Sequence, residues 1–371
     1  EIDTESSIEL ITNTKDVLSA IPSKRRQLLL LSLKKIAEFD VFSALALFDN
    51  APFAMANLTD SEFKSWVSIA TNIAKENITV AVSFLNASSK LVGSIGMDEF
   101  SDWSKKGIGL IPENPEASKA FFESSFSNSE KLIAVPDRKK RDYLLDTGTR
   151  IALLNWKNTD DYFENAPSVI KSVPGDRFNE WADMGGKISE QNTILGSGYY
   201  RKSVIALENI NPKYHDEIFK IAEILLEKNC LLAGAFFEAL PEAMKSISPE
   251  YIKQWADIGI EVYDKCKRIT VDYFEHSPVL LKNLNISELR EWALKGIDIF
   301  IENPHYGKLY FTLKSRKSRE FVNQLSQGVT LKRVAKVLNY YAIGLSGIGF
   351  RICSKSILQN NVNLKSINPV I

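Results

Sequence analysis

Trp255-Ala256-Asp257-Ile258-Gly259 is the stretch that decides the fold, because its Trp and its Gly recur along the chain at a nearly constant spacing. Five of the six Trp residues stand 37 residues apart or about twice that distance apart. A 37-residue period accounts for them if one copy carries four extra residues and if Leu144 and Ile218 replace the Trp in two copies. The repeated Trp residues are Trp66, Trp103, Trp181, Trp255 and Trp292, and a small residue follows each repeat position by four: Ala70, Gly107, Gly148, Gly185, Ala222, Gly259 and Gly296.

A pair of adjacent bulky residues recurs with the same period. Fourteen of its sixteen positions are aromatic, although aromatic residues make up only 10% of the chain, so chance does not explain the pattern. A small or slender residue, such as Ala44 or Gly307, stands four positions before the second bulky residue. The second members of the pairs are Phe48, Leu85, Phe122, Phe163, Tyr200, Phe237, Phe274 and Phe311.

Each repeat is predicted to form two helices. The Trp and the small residue four positions later share one helix face, and an apolar residue three positions before the Trp extends the stripe; we name this helix type A. The helix that carries the bulky pair is type B. Thr59 and Glu62 form a predicted capping box, and Ser248 precedes Pro249 as a helix start should. Proline is expected to end the type-B helices before Pro52, Pro167, Pro241 and Pro278.

The pattern predicts an all-α fold, an α-solenoid of seven to eight two-helix repeats of about 37 residues over residues 41–315. Small residues on one hairpin are expected to nest against bulky rings on its neighbour, because one helix pair cannot bury both of its faces alone. Residues 1–40 are expected to form an N-terminal cap with a polar outer face, marked by Lys24-Arg25-Arg26. Residues 316–371 are expected to hold a capping helix, a short possible strand and a linker or tail.

Composition excludes several functional classes. Lys and Arg together number 46, as do Asp and Glu, and this balance argues against a nucleic-acid-binding protein. No apolar run reaches the length of about 18 residues that a membrane span needs, so we expect no membrane insertion. Three scattered Cys residues favour a reducing, cytoplasmic location. We find no phosphate-binding loop, no zinc motif and no catalytic constellation, and therefore predict a protein that is not an enzyme and takes no cofactor.

Two basic clusters are candidate partner contacts. Arg138, Lys139, Lys140 and Arg141 are placed at the four-residue insertion, and Arg316, Lys317 and Arg319 follow the last repeat. Either cluster could meet an acidic partner or a phosphate backbone; the alternative is a solvated loop or helix end. Carboxylates also recur directly after the bulky pair, which predicts either an acidic ladder in a groove or a solvated helix face with local pairing. They are Glu123, Glu164, Glu238 and Glu275.

Short motifs in the repeat resemble a known family. The recurring Trp-Ala-x-x-Gly and the Phe-Phe-Glu-x-x-Pro of residues 236–241 resemble the helical N-terminal region of bacterial von Willebrand factor A domain proteins, and residues 331–347 look like the stretch that follows it. These proteins work beside MoxR-class AAA+ ATPases and include the nitric oxide reductase activation protein and a rubisco-activase adaptor. The family's Asp-x-Ser-x-Ser metal-binding motif does not occur here. Either the sequence stops before that domain or the protein has lost it.

The resemblance implies a non-enzymatic adaptor or scaffold that helps to couple an AAA+ ATPase to a client enzyme, with ATP hydrolysis supplied by the partner. Two other functions stay open. The chain could be a stand-alone solenoid that binds a peptide or protein, which would be marked by polar residues repeating at one surface register. It could also bind nucleic acid or catalyse a reaction, against which the balanced charge and the missing catalytic residues count.

Overall fold

The computed structural model describes residues 16–89, 91–173, 175–282 and 284–312. Within these residues the regular elements are α-helices and short 3₁₀ turns, together with one isolated bridge between Val92 and Ile95, so the predicted all-α class is confirmed. The chain divides into two compact units, residues 1–208 and 209–371. The expected C-terminal elements, and Arg316, Lys317 and Arg319, lie outside the described residues. No helix of the described ranges is both long and apolar enough to cross a membrane.

In the first unit, type-A and type-B helices alternate with the period of the sequence repeat. The type-B helices α2, α4, α6 and α9 pack in one row, and the type-A helices α3, α5, α8 and α10 pack in another. A five-residue helix, α7, interrupts the alternation. The elements are α1 (Ser23–Ala37), α2 (Val41–Asn57), α3 (Asp60–Glu76), α4 (Ile78–Ser88), α5 (Met97–Ile108), α6 (Pro115–Ser127), α7 (Ser129–Ile133), α8 (Arg138–Asn155), α9 (Thr159–Ser172), α10 (Gly175–Gln191) and α11 (Thr193–Asn209).

The second unit repeats the same arrangement. Its type-A helices α12, α14 and α16 form one row and its type-B helices α13, α15 and α17 form the other. Such rows are the packing that an α-solenoid uses within each unit; one continuous solenoid over residues 41–315 stays a prediction. The helices are α12 (His215–Lys228), α13 (Cys230–Ala243), α14 (Ile252–Lys265), α15 (Thr270–Leu280), α16 (Ile286–Glu302) and α17 (Pro304–Thr312).

In five type-A helices the glycine at the repeat position lies against the second ring of the next type-B helix. A Cβ atom built on Gly148 would stand 2.2 Å from Cζ of Phe163, and the glycines at the other repeat positions show the same closeness. The expectation that small residues face rings is therefore confirmed, but the pair lies within one A–B hairpin and not between neighbouring hairpins. Rings join the neighbours instead, as between Phe121 and Phe163, whose centroids are 5.5 Å apart. The other pairs of glycine and ring are Gly107 with Phe122, Gly185 with Tyr200, Gly259 with Phe274 and Gly296 with Phe311.

The repeat Trp residues are fully enclosed, and three of them make the same hydrogen bond. The indole N–H of Trp66 donates to Ser88 Oγ at 2.8 Å, and Trp181 and Trp255 donate in the same way to a serine 22 residues further on. Leu144 and Ile218, which replace the Trp in two repeats, are buried in α8 and α12. Burying each such aromatic residue contributes about 1.5–3 kcal/mol, so the repeat positions form the core of each unit.

The expectation that type-B helices end before their prolines is wrong. Pro52, Pro167, Pro241 and Pro278 all lie inside helices. A proline removes its own N–H from the helix, and its ring crowds the carbonyl four residues earlier; burial holds the turn beyond it. In α9, Val169 and Ile170 are buried, and the amide of Val173 still donates to the Val169 carbonyl at 2.9 Å. Packing therefore outweighs one lost hydrogen bond.

Asparagine caps start the type-B helices, a feature that our sequence analysis missed. Asn77 Oδ1 accepts a hydrogen bond from the Val80 amide at 3.0 Å, and an Asn recurs eleven positions after nearly every repeat position. The capping box of Thr59 and Glu62 is confirmed. Ser248, in contrast, makes no side-chain cap; Pro249–Tyr251 form a 3₁₀ turn, and α14 starts at Ile252.

The N-terminal cap expected over residues 1–40 stays a prediction, because residues 1–15 lie outside the described residues; Lys24 and Arg26 are exposed. Helix α1 packs on α2 and α3, and Arg25 turns inward to an ion pair of 2.7 Å with Asp60. Leu30 and Leu31 are 60% and 61% exposed. The four consecutive leucines wrap around the helix, so burying Leu29 on one face leaves the next two on the other.

Candidate functional site

The basic cluster of residues 138–141 forms the first turn of α8 and not a loop. A type-A helix begins twelve residues after Phe48 and after Leu85, but α8 begins sixteen residues after Phe122. The four additional residues therefore lie before Arg138, in the segment that contains α7. The placement of the insertion at the basic cluster was wrong, because it took the charges as the mark of a loop.

Arg141 is used inside the first unit. Its Nε and Nη2 donate to the Glu99 carboxylate at 2.8 and 3.2 Å, and Nη1 donates to the Val135 carbonyl at 2.7 Å. Its side chain is only 14% exposed, so it clamps the loop before α8 to α5. Arg138 reaches Asp102 at 3.1 Å. Lys139 and Lys140 are exposed and are the members of this cluster that stay available as partner contacts.

A column of carboxylates marks the outer surface of the type-B helices. Each follows the second bulky residue of its helix, and all are exposed: Asp49, Glu123, Glu164, Glu238 and Glu275. This column is the repeating polar register that a binding surface would show, but the same position also suits local pairing. The two units use it differently.

In the first unit Glu123 and Glu164 are bound by neighbouring helices, whereas Asp49 has no such contact among the described residues. Glu123 Oε1 accepts a hydrogen bond from Ser83 Oγ of the preceding type-B helix at 2.8 Å. Glu164 forms an ion pair of 3.1 Å with Lys131 of α7. Beside it, burial raises the pKa of Asp160, opposed by a hydrogen bond of 3.0 Å from Asn128. Local pairing is therefore the correct interpretation for this unit.

In the second unit the carboxylates line a groove between α13 and α15. Its volume is about 380 Å³, and the small side chains on these helices leave the space open. Ala235 and Ala239 are almost completely buried and form its floor. The lining residues are Ala235, Glu238, Ala239, Glu242, Val271, Glu275 and Pro278.

The carboxylates of the groove are only partly neutralised by nearby basic side chains. Glu242 pairs with Lys245 at 2.5 Å, and Glu275 lies 4.0 Å from His276 Nε2. Within the described part of the chain, Glu238 has no cationic partner. One turn away on α15, burial raises the pKa of Asp272, and Lys308 of α17 partly opposes the shift. Two exposed carboxylates therefore face an apolar floor without a lysine or arginine of their own.

The buried aromatic columns serve packing. Tyr199 donates its hydroxyl hydrogen to the Trp181 carbonyl at 2.8 Å, and Tyr273 makes the same bond to Trp255 at 2.9 Å. Burial raises the pKa of both hydroxyls well above the usual value, so they stay protonated near neutral pH. Among the described residues, no group of three or more His, Cys, Asp or Glu is placed to hold a metal ion.

Fold and site together define an all-α protein built on a 37-residue sequence repeat, with an acidic groove in its second unit. Comparison of the chain with family models, curated proteins and solved structures found no match.

Proposed function

We propose that this chain is a non-enzymatic protein-binding scaffold that takes a basic segment of a partner protein into the groove between α13 and α15. The observation that carries the proposal is the pair of carboxylates, Glu238 and Glu275, beside an apolar floor. In the same column of the first unit, Glu123 and Glu164 are bound by residues of the chain itself.

The chemistry of the groove suits lysine and arginine. Their aliphatic stems pack on apolar surface while the charged head reaches outward, and Ala235, Ala239 and Val271 offer that surface. Carboxylates at the rim form charge-assisted hydrogen bonds with guanidinium or ammonium groups. An open groove between two helices admits an extended segment more readily than a compact small molecule.

The finer role, an adaptor that couples a MoxR-class AAA+ ATPase to a client enzyme, is supported by the resemblance of the repeat motifs alone. The Trp and Gly of those motifs are buried packing residues, so they support the scaffold and contact no partner directly. In this role the groove and the exposed Lys139 and Lys140 would be the contact points. The test is whether the purified chain changes the ATPase rate of such an enzyme.

A binding assay with a matched control tests the groove. Fluorescent peptides containing Arg and Lys are titrated with the wild-type chain, with Glu238→Gln/Glu275→Gln and with Glu123→Gln. Glu123 occupies the same register position but is bound to Ser83. We expect the double substitution to weaken binding about tenfold or more, since two charge-assisted hydrogen bonds are lost, and Glu123→Gln to leave it unchanged. Equal affinity of the peptides for all three proteins would refute the proposal that they bind in the groove.

A further inference from the structure

A second pocket of the second unit lies where α13 and α15 end. Its volume is about 580 Å³. Part of its lining is Ser246 and Ile247, which follow α13, and Leu281 and Leu284, which follow α15. Tyr251, in the 3₁₀ turn before α14, also lines it. We name this space the end pocket and define it by these five residues.

The end pocket continues the acidic groove between α13 and α15. On α13 the last lining residue of the groove is Glu242, and Ser246 stands four positions further, which is the next place on the same helix face. On α15 the last is Pro278, and Leu281 stands three positions further. The chain still follows the helical path there, since the Ser246 amide donates to the Ala243 carbonyl at 2.9 Å and the Leu281 amide donates back into α15 at 3.0 Å. The groove and the end pocket are therefore consecutive parts of one track along the two helices.

The end pocket exposes an apolar position that the neighbouring repeats bury. Ile247 stands ten positions after the second bulky residue of its repeat. Its counterparts in the repeats before and after, Ile210 and Leu284, are each only 5% exposed. Ile247 itself is half-buried, and Tyr251 is 45% exposed. This end of the track therefore offers apolar surface that an added side chain could cover, as the chain itself does in the adjacent repeats.

The charges divide the track into two different parts. Glu238 and Glu275 line the groove, whereas no carboxylate is among the described residues that line the end pocket. Lys245 and Lys282, each next in sequence to a lining residue of the end pocket, are exposed. A basic side chain is therefore attracted to the groove and disfavoured at the end pocket, where a bulky apolar side chain gains by leaving water.

We propose that the partner segment is extended and bipartite, with basic side chains at Glu238 and Glu275 and a bulky apolar side chain in the end pocket. This inference rests on the proposed function and adds an apolar anchor to it. Glu238 and Ser246 are eight residues apart, which is about 12 Å at the helical rise of about 1.5 Å per residue. An extended segment covers that distance in about four residues at about 3.3 Å each. The length of the track therefore sets the spacing between the two parts of the ligand.

Fluorescent peptides of equal length and charge test the anchor with the full chain. Each carries an Arg-Arg pair, and a single Phe stands about four residues after the pair, about four before it, or about eight after it; in a fourth peptide Ser replaces the Phe. We expect one of the two peptides with the four-residue spacing to bind at least about tenfold more tightly than the Ser peptide, and the eight-residue spacing to give no such gain. Equal affinity of all four peptides overturns the anchor and leaves the proposed function standing. Failure of every peptide to bind contradicts both.

A substitution in the end pocket identifies where the Phe binds. Ile247→Ser should raise the dissociation constant of the tightest Phe peptide about fivefold or more, because apolar lining is lost, and should leave that of the Ser peptide unchanged. Ile224→Ser is the control, since Ile224 is 46% exposed but lies on α12. Circular dichroism melting shows whether each variant stays folded. If Ile247→Ser leaves the affinity for the Phe peptide unchanged, or weakens both peptides equally, the end pocket is not the site of the anchor.

Discussion

Gly259 of α14 lies so close to Phe274 of α15 that a methyl group on its Cα would stand 2.2 Å from Cζ of the ring. The same relationship joins a glycine and a ring at four other repeats. It explains why the repeat needs a small residue four positions after the Trp, since a Cβ at these glycines would force the ring to shift and a larger side chain would separate the two helices of the hairpin.

Gly259→Ala should therefore destabilise the protein. Overpacking a close contact costs about 1–3 kcal/mol, although the better helix propensity of alanine returns up to about 1 kcal/mol. Gly259→Leu, with a larger side chain, should cost more. Urea denaturation measures the change, and Gly109→Ala is the control, because a Cβ at Gly109 would make only ordinary contacts, the nearest at 3.5 Å. Equal midpoints for Gly259→Ala and wild type would contradict the packing.

The hydrogen bond from Trp181 to Ser203 predicts that loss of its acceptor lowers the stability of the protein. Ser203→Ala leaves the buried indole N–H without its acceptor and should cost about 1–3 kcal/mol. Ser125 is the matched control, because neither it nor Trp103 makes the corresponding bond. At that repeat the ring of Phe126 lies 5.9 Å from Trp103, in a register position that holds proline in several other repeats. Ser125→Ala should have almost no effect, and a cost equal to that of Ser203→Ala would count against this account.

Arg141 and Lys139 should behave differently although they belong to one basic cluster. Arg141→Ala removes the clamp to Glu99 and to the loop before α8, and should destabilise by about 1–3 kcal/mol. Lys139→Ala, at an exposed position, should stay within about 0.5 kcal/mol of wild type. Thermal unfolding compares them. A stable Arg141→Ala variant would mean that the ion pair contributes little, as many exposed pairs do.

Stability should fall at alkaline pH. Burial raises the pKa of Tyr162, Tyr199 and Tyr273 well above 10 in the folded state, whereas in the unfolded chain these groups titrate near 10. Above about pH 10 the unfolded state therefore loses protons that the folded state keeps, and the free energy of unfolding decreases as the pH rises.

Urea midpoints from pH 8 to pH 11 measure this dependence. Tyr199→Phe should reduce the slope above about pH 10, because it removes one of the titrating groups. A midpoint that stays constant through that range would show that these hydroxyls ionise equally in both states.

The repeat register can be predicted from the sequence because the residues that mark it lie close together along the chain. Trp181 and Gly185 share one helix face through their spacing, and the bulky pair of residues 199 and 200 marks the next helix. The asparagine before most type-B helices was equally readable, since Asn77 and Asn229 occupy the same register position. The all-α class and the alternation of two helix types therefore follow from the sequence.

The partners of charged and polar groups were decided only by the tertiary structure. Arg141 and Glu99 are 42 residues apart, and the sequence around either residue does not predict their contact. Glu123 and Glu238 have the same register position, yet one is bound by Ser83 and the other lines a groove. The exposure of Leu30 and Leu31 likewise depends on which face α2 and α3 cover. Helix formation follows from periodicity along the chain, whereas these features depend on which side chains two separate helices bring together.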